Sequence, residues 1–377
     1  MSPTMKAIIL SSISDPPAIS VEEKPIPTAG PGSVVVQIIA TLIPDYQRQV
    51  FTGARGYPLK VPLTPGGNGI ARVSAIGPDT TALKIGQLVL VDIFIRARDD
   101  PANNFLFGFH AGGTPEAQKL AEGPWRHGTL AQYASVPLEN VLPLNEERLC
   151  GELGYTINDL TTIQPCSIPS GGLCDAGVKS GDVVIVVPAT GTFGGAAVLT
   201  ALAMGASVIA CGRNQESLDN LAQSTGSPKD LKTVKLNGDV EKDTAALLAA
   251  SGAGGADVCI DFSPPGAAEG GKTPTHLLAA LGALRNSGTL ALMGGIQGNI
   301  SIPYGLVMYK SIAIKGRFMY ERDHIQRVVR LAEQGKLKLG AAVGKQFLGP
   351  YGLDQINEAM DVAEKNPGYS KAVVLTP

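Results

Sequence analysis

The stretch from Asp182 to Asn214 constrains the fold more than any other part of the chain. It begins with a run of β-branched residues, Val183–Val187, which has the length and composition of a fully buried parallel strand. A glycine-containing turn follows, and the alanine- and leucine-rich segment Gly195–Met204 predicts a helix. Gly205 comes next, at a position suited to a left-handed helix cap, and Val208–Ala210 predicts a second strand. The stretch therefore predicts a βαβ unit, which is the repeating element of doubly wound parallel sheets.

The turn inside this unit matches a phosphate-binding pattern. It reads Ala189-Thr190-Gly191-Thr192-Phe193-Gly194, which fits G-x-G-x-x-G with alanine in the first position. Gly191 would let the backbone approach a pyrophosphate, whose charge the helix N-terminus stabilises. Gly194 would let the helix pack closely on the strand. Because the motif follows a strand and opens a helix, we expect a dinucleotide cofactor here, although a purely structural turn would have the same pattern.

The end of the second strand indicates which dinucleotide binds. Sites for NAD place Asp or Glu there to bond the ribose hydroxyls, whereas this chain has Gly212-Arg213-Asn214. No carboxylate is present to repel a 2′-phosphate, and the Arg213 guanidinium is available to bind it. The pattern favours NADP(H). The alternative is that Arg213 is an ordinary surface cation.

Composition limits the classes of function. A length of 377 residues suggests two domains, and 44% hydrophobic with 17% charged residues is typical of a globular enzyme. A net charge of −2 gives no electrostatic reason to expect nucleic acid or an acidic membrane as partner. No apolar run approaches the roughly 18 residues that span a bilayer. Five scattered cysteines fit a reducing compartment, so we expect a cytoplasmic protein.

The two halves of the chain have different patterns. Apolar runs at residues 6–10, 34–39, 70–76 and 88–94 predict strands separated by Pro/Gly-rich turns. Beyond residue 214, predicted strands alternate with helices, as in a doubly wound parallel sheet.

Between these halves, residues 96–127 have neither pattern. A loop of this length is typically a lid, a binding loop or an insertion. It contains Phe105, Phe107, Phe109 and Trp125, which are too many aromatic residues for a freely solvated loop. We expect them to pack against the first domain and part of the loop to border the substrate cleft; a dimer contact or passive insertion is the alternative.

The order of these sections resembles the medium-chain dehydrogenase/reductase family. The motifs that carry the resemblance run through the chain: Pro65-Gly66-Gly67-Asn68-Gly69, Lys84-Ile85-Gly86-Gln87-Leu88-Val89, Gly128-Thr129-Leu130-Ala131-Gln132-Tyr133, Gly177–Asp182 and Ser370–Leu375. The resemblance implies an α/β protein in which a doubly wound Rossmann domain joins a mostly β, GroES-like catalytic domain. We expect the GroES-like domain at 1–165, the NADP-binding domain at 166–307, and a return segment at 308–377 that completes the first domain.

The sequence departs from the zinc-dependent members of that family. At the positions of their first cysteine ligand and of their His-Glu pair, this chain has Leu42 and Gly67-Asn68. Pro44 and Gln47 replace the hydroxyl and the histidine of the proton relay, and only Cys166 lies near a ligand position. One thiolate cannot hold a tetrahedral zinc, so we expect no metal and a zinc-independent branch, such as the quinone or enone reductases.

The resemblance also points to residues at the reaction site. Asp45 and Tyr46 begin the loop that lines the substrate pocket in the family, and Tyr46 could donate a proton or hydrogen bond; it could equally well only pack. The strand-end rule adds Ser263, Gly294 and Gly295 as cofactor contacts. Lys371 matches a basic residue that approaches the pyrophosphate, although it could be a solvated lysine.

The sequence does not assign single roles to the four histidines. We expect His110 and His127 to serve in loop stabilisation or at the cleft, and His276 and His324 to lie on helices. The resemblance further implies a homodimer that extends the sheet across a two-fold axis, with Asn299–Pro303 as the edge strand.

The sequence thus predicts an NADPH-dependent, zinc-independent oxidoreductase that transfers hydride to a small, largely apolar electrophile: a quinone, an activated C=C, a carbonyl or an imine. A carbonyl/alcohol dehydrogenase is the first alternative. A non-catalytic NADPH-binding protein is an alternative of a different class, since fold alone does not fix function.

Overall fold

The computed structural model describes residues 3–377, apart from the side chain of Glu269, and the chain forms two compact units. The first contains the chain up to Gln164 together with Gln346–Pro367 and Lys371–Pro377. The second contains Pro165–Lys345 and Gly368–Ser370. Among the described residues, no helix is long and apolar enough to span a membrane.

The first unit is built on strands, as predicted. Its largest sheet has the order β16-β17-β3-β4-β5-β9, and β8 also pairs with β3; β1 with β2 and β6 with β7 form two-stranded sheets. The strands are β1 (Thr4–Ser12), β2 (Ala18–Pro25), β3 (Ser33–Ile43), β4 (Gly69–Ile76), β5 (Leu88–Val91), β6 (Phe94–Arg96), β7 (Asn104–Leu106), β8 (Tyr133–Pro137), β9 (Val141–Pro143), β16 (Gln346–Tyr351) and β17 (Lys371–Leu375).

Short helices connect these strands. They are α1 (Gln47–Phe51), α2 (Pro115–Glu122), α3 (Ile157–Leu160) and α11 (Ile356–Lys365). Helix α2 lies inside the segment for which the sequence predicted no regular structure. Thr114 caps it by accepting a hydrogen bond from the Ala117 amide at 3.1 Å, and Pro115 occupies its first turn. A capping residue followed by proline is a recognised start signal that the aromatic composition of the segment obscured.

The second unit is a parallel six-stranded sheet with the order β12-β11-β10-β13-β14-β15. Its strands are β10 (Val183–Val187), β11 (Ser207–Gly212), β12 (Leu231–Lys235), β13 (Ala256–Asp261), β14 (Leu284–Leu292) and β15 (Ala313–Gly316). The helices are α4 (Ile163–Asp175), α5 (Thr192–Ala203), α6 (Gln215–Ser224), α7 (Val240–Ser251), α8 (Thr275–Ala283), α9 (Tyr304–Tyr309) and α10 (Arg322–Glu333). From β10 the chain builds β11 and β12 on one side of that strand. It then crosses back and builds β13 on the other side of β10, so the strand order reverses there. Ligands of such sheets bind at this reversal.

The βαβ unit forms as its sequence predicts. Strand β10 is a central strand that pairs with β11 and β13, and the side chains of residues 184–187 are buried, as its β-branched composition predicts. Helix α5 ends where Gly205 adopts φ +88°, and the Ala206 amide donates to the Ala201 carbonyl at 3.1 Å. A left-handed glycine that closes a helix in this way satisfies its last carbonyl groups.

The predicted boundary at residue 308 is wrong. Residues 308–345 belong to the second unit, because β15 continues the parallel sheet in register with β14, Thr289 opposite Ala313. The first unit resumes only at Gln346.

The predicted edge strand Asn299–Pro303 is also wrong, since this segment has no regular structure. The Ser301 amide donates to Thr273 Oγ1 at 2.6 Å, and the Thr273 hydroxyl donates to the Ser301 carbonyl at 2.7 Å. These bonds occupy the backbone groups that a strand partner would need, and Pro303 has no amide proton. On this side of the sheet the edge strand is β15, and β12 is the edge on the other side.

Candidate functional site

The turn between β10 and α5 has the geometry of a phosphate site. Gly191 precedes the first turn of α5 without any capping side chain, and a Cβ added to it would meet no atom within 4 Å. Open space therefore faces the N-terminus of a 12-residue helix, whose dipole favours negative charge. At Gly194 a Cβ would lie 2.1 Å from the Pro188 carbonyl oxygen. Gly194 thus has the packing role predicted for it.

The other residues of the turn are held from within the second unit. The Tyr369 amide donates to the Thr190 carbonyl at 3.2 Å, and the Thr192 hydroxyl donates to the Gly368 carbonyl at 3.2 Å. The Ala189 amide donates to the Cys211 carbonyl at 2.7 Å. The Phe193 ring packs 6.4 Å from the Phe262 ring. The turn is therefore fixed before any ligand arrives.

Sequence reasoning missed a buried lysine beside this turn. Lys345 is 7% exposed; its ammonium donates to the Tyr369 carbonyl and lies 4.1 Å from the centre of the Tyr369 ring. Burial lowers the pKa of Lys345 to about 8. Burial likewise raises the pKa of the neighbouring Cys166 thiol to about 11, so this thiol is protonated at neutral pH. No periodicity marks such a cluster, because its members lie far apart in the sequence.

The end of β11 brings the predicted specificity residues to the same edge. Gly212 is buried, and a Cβ there would lie 3.3 Å from Thr190 Cγ2, so strand end and turn are in close contact. Arg213 is exposed, and no ion pair is recorded for it among the described side chains. The Asn214 side chain accepts from the Ser217 amide at 3.0 Å and caps α6. Asn214 therefore has a structural role that the sequence prediction did not include.

The ends of β13 and β14 meet through a buried carboxylate. Asp261 Oδ1 accepts from the Ser263 hydroxyl and from the Ser263 amide, the latter at 3.1 Å. A Cβ added to Gly294 would lie 2.7 Å from Asp261 Oδ2, and the Gly295 amide donates to the Ser263 carbonyl at 2.8 Å. Ser263, Gly294 and Gly295 thus lie together at these two strand ends, and their contact with the cofactor stays a prediction. Sequence reasoning missed Asp261 and the contact of His276 Nε2 with Ser263 Oγ at 2.7 Å.

Lys371 lies elsewhere. It belongs to the first unit, is exposed, and donates from Nζ to Asn366 Oδ1 at 2.8 Å. Its predicted contact with a pyrophosphate stays a prediction.

Within the first unit, Asp45 and Tyr46 lead into α1, and Tyr46 belongs to an aromatic cluster. Its ring lies 6.0 Å from Phe109, and the guanidinium carbon of Arg55 lies 4.2 Å from its centre. Tyr57 contacts Phe109 at 5.8 Å and His110 at 5.1 Å. Burial raises the pKa of Tyr46, which keeps its phenol protonated. The cluster forms an apolar surface with a hydroxyl donor in it.

The side chain that follows Tyr46 is a further donor. Gln47 is 3% exposed, and its Nε2 has no hydrogen-bond partner among the described residues. A buried amide without a partner costs free energy unless a ligand or water pairs with it. The sequence had shown Gln47 only as a replacement for a histidine.

The segment 96–127 is ordered by its aromatic residues, as predicted for the phenylalanines. Phe105, Phe107 and Phe109 are buried, whereas Trp125 is only half-buried. His110 Nδ1 accepts from the Gly112 amide at 2.9 Å, and His127 Nδ1 accepts from the Thr64 amide at 3.1 Å. Burial lowers the pKa of both histidines. His110 therefore stabilises a turn within the segment, and His127 joins the end of the segment to Thr64.

The residues at the zinc-ligand positions do not fit zinc. Leu42 offers no donor atom, and a Cβ at Gly67 would lie 2.2 Å from the Phe107 carbonyl oxygen and 2.3 Å from Ile93 Cγ1. No ligating side chain fits there. The Thr41 hydroxyl donates to the Asn68 backbone carbonyl at 2.8 Å and lies 3.3 Å from Asn68 Oδ1. Among the described side chains, no three of His, Cys, Asp or Glu converge to hold a metal ion.

Comparisons with known proteins agree with this architecture. Residues 30–146 match the alcohol dehydrogenase GroES-like domain, and residues 193–334 match the zinc-binding dehydrogenase family. The chain is 25% identical over 350 residues to L-threonine 3-dehydrogenase of Pyrococcus furiosus, which covers 90% of each protein. It is 25% identical over 336 residues to an alcohol dehydrogenase of Rhizobium meliloti, which covers 89% of this chain and 90% of the relative.

Solved structures share the fold. A Sinorhizobium meliloti 1021 protein described as a zinc-binding dehydrogenase and bound to NADP superposes with a TM-score of 0.76 at 22% identity over 100% of both chains. The alcohol dehydrogenase TADH from Thermus sp. ATN1 does so with a TM-score of 0.76 at 18% identity over 99% of both chains. The GroES-like match lies within the first unit and the dehydrogenase match lies within the second unit. The chain therefore belongs to the medium-chain dehydrogenase/reductase family of oxidoreductases.

Proposed function

We propose that this protein is an NADPH-dependent, zinc-independent reductase that transfers hydride to a small, largely apolar electrophile. The observation that carries the proposal is the pair Gly67 and Arg213: the first position excludes a metal ligand, and the second offers a cation where NAD sites have an acid. Quinones, activated C=C bonds, carbonyls and imines are the substrate classes that this chemistry accepts.

The cofactor part of the proposal rests on the strand ends of the second unit. Gly191 leaves room for a pyrophosphate at the start of α5, and Arg213 is exposed and forms no ion pair with the described side chains. A guanidinium binds a phosphate through two parallel hydrogen bonds. The Sinorhizobium structure of the same fold is bound to NADP, which supports this part of the proposal.

The catalytic part rests on the first unit. When bound, NADPH supplies a hydride to the electrophilic carbon. Tyr46 keeps its proton because burial raises its pKa, so it can hydrogen-bond to the atom on which negative charge develops. Gln47 Nε2 is a further donor, and this atom has no hydrogen-bond partner among the described residues. Because the raised pKa makes the Tyr46 phenol a weak acid, Tyr46 donates only a hydrogen bond, and water supplies the proton that completes the reduction. The apolar cluster around Phe109 favours apolar substrates.

One observation favours the alternative of a carbonyl/alcohol dehydrogenase. The matched relatives named above act, by their names, on L-threonine and on alcohols. The third reading, a non-catalytic NADPH-binding protein, has no such support.

The experiment is NADPH consumption with a matched panel of quinones, enones, ketones and imines. We expect turnover with at least one apolar member of the panel, no stoichiometric zinc by elemental analysis, and unchanged activity with a chelator. Turnover confined to alcohols and ketones would favour the alternative. One tightly held zinc per chain would contradict the metal-free mechanism, and no turnover with any member would favour the non-catalytic reading.

A further inference from the structure

Three side chains form a hydrogen-bonded chain at the carboxyl end of β13. The Ser263 hydroxyl donates to Asp261, and Ser263 Oγ lies 2.7 Å from Nε2 of His276. Asp261 and Ser263 are 2% and 1% exposed, while His276, in the first turn of α8, is half-buried. The chain therefore runs from a buried carboxylate to a partly accessible imidazole.

The hydrogen bonds fix which nitrogen of His276 carries the proton. Burial raises the pKa of Asp261 to about 6, so at pH 7 and above this carboxylate is mostly ionised and only accepts. The Ser263 hydroxyl has one proton, which Asp261 receives, so the Ser263 oxygen must accept from His276 Nε2–H. A neutral imidazole has one N–H group. Nδ1 of His276 is consequently left as an acceptor.

The charges around His276 keep it neutral. Burial lowers the pKa of His276, and the positive charge of Arg213 lowers it further. Arg213 is the charged side chain that acts directly on this ring among the described groups, and Asp261 reaches it through Ser263. The site thus presents a fixed acceptor and a fixed cation.

The sheet places these two groups on either side of the phosphate-binding turn. Arg213 follows β11 and Ser263 follows β13, and both strands pair with β10. The two strand ends therefore stand two strand spacings apart, about 9.6 Å. In sheets of this type the pyrophosphate lies at the end of the first strand and the adenosine ribose at the end of the second. The base attached to that ribose is then within the space between Arg213 and His276.

We propose that His276 recognises the adenine base of the dinucleotide, with Nδ1 accepting a hydrogen bond from the exocyclic amino group. Ser263 and Asp261 are positioning residues, because they hold the ring in the tautomer that accepts. This inference rests on the proposed binding of a dinucleotide but not on the choice between NADP and NAD. In hypoxanthine a carbonyl oxygen replaces the amino group. This oxygen and Nδ1 of His276 are both acceptors, so a nucleotide with that base would bind weakly.

A competing role for His276 is to bind the 2′-phosphate beside Arg213. That role needs a protonated ring, whereas the surroundings of His276 disfavour the proton. Recognition of the adenine base is therefore the role of His276 that the contacts favour.

The test is calorimetric titration at pH 7.5 with NADP+ and with its hypoxanthine analogue. We expect the natural protein to bind NADP+ about tenfold more tightly, the effect of one mismatched hydrogen bond. His276→Phe keeps a ring without nitrogen and should abolish this preference. Ser263→Ala should abolish it too, because the released ring can adopt either tautomer. Thr275→Ala, an exposed neighbour on α8, is the matched control and should keep it.

Equal affinity of the natural protein for both bases, or an undiminished preference in His276→Phe, would overturn the proposal. A loss of discrimination between NADP+ and NAD+ with the base preference intact would assign His276 to the phosphate instead. Titrating NAD+ and its hypoxanthine analogue separates this inference from the NADP preference, which can fail alone. If the variants do not fold, nitrogen NMR of the natural protein decides: Nε2–H supports the proposal, and Nδ1–H or imidazolium contradicts it.

Discussion

At the scale of single residues, Gly212 and Arg213 should decide the cofactor. We expect Gly212→Asp with Arg213→Ala to reverse a preference for NADPH, because an added carboxylate repels the 2′-phosphate and the guanidinium is lost. An arginine–phosphate pair contributes roughly 1.5–3 kcal/mol, so NADPH affinity should fall about tenfold or more. Gly212→Ala is the control for crowding against Thr190. Equal affinity of the natural protein for NADH and NADPH in fluorescence titrations would refute this prediction.

Lys345 should give the protein a characteristic dependence of stability on pH. Its pKa in the folded state is about 8, below the ordinary value of 10.5. Between these values the unfolded chain binds a proton that the folded chain lacks, so stability relative to Lys345→Met should rise with pH, by up to about 3 kcal/mol. Below pH 8 this gain is absent. Urea unfolding at several pH values measures this gain in the free energy of unfolding, with the exposed Lys338→Met as control. Parallel curves of stability against pH for the natural protein and for Lys345→Met would contradict the prediction.

At the scale of elements, the segment 96–127 is held by Phe105, Phe107 and Phe109, which leaves Trp125 half-buried. Trp125 is the single tryptophan, so its fluorescence should change when a substrate analogue is added to the NADP-saturated protein. Trp125→Ala should raise KM or lower kcat more than it lowers cofactor affinity, because the dinucleotide turn belongs to the other unit. Trp125→Phe should restore most of the loss. Unchanged kinetics with an altered oligomeric state would make the segment an assembly contact.

At the scale of the whole molecule, we expect a homodimer that extends the parallel sheet across β15. This strand is one of the two sheet edges. Exposed apolar side chains lie on it and on the chain segments just before and after it: Tyr304 (81%), Met308 (48%), Tyr309 (82%), Ile314 (38%) and Phe318 (56%). Unpaired strand edges with apolar neighbours favour association. Sedimentation should show dimers at micromolar concentration, and Tyr309→Glu should give monomers. Ile85→Glu, an exposed residue of the first unit, should not. A natural protein that is monomeric would end this proposal.

The sequence by itself determined the parts of the molecule whose signals are local. The β-branched run Val183–Val187, the glycines of the turn and Gly205 predict the βαβ unit, because burial, close approach and left-handed backbone each demand these residue types where they stand. The position of Gly212-Arg213 at the end of the second strand likewise follows from the length of the βαβ unit. These features need only their own neighbours in the chain to form.

Only the tertiary structure decided what depends on residues far apart in the chain. Residues 308–345 belong to the second unit because β15 pairs with β14, and Asn299–Pro303 is no strand because Thr273 takes the backbone bonds of Ser301. Gly67 excludes a side chain because Phe107 lies against it. The acceptor state of His276 depends on Ser263 and Asp261, which meet it through the packing of α8 on the sheet. The protonation state of a side chain and the pairing of strands depend on such contacts, and a local sequence pattern does not contain them.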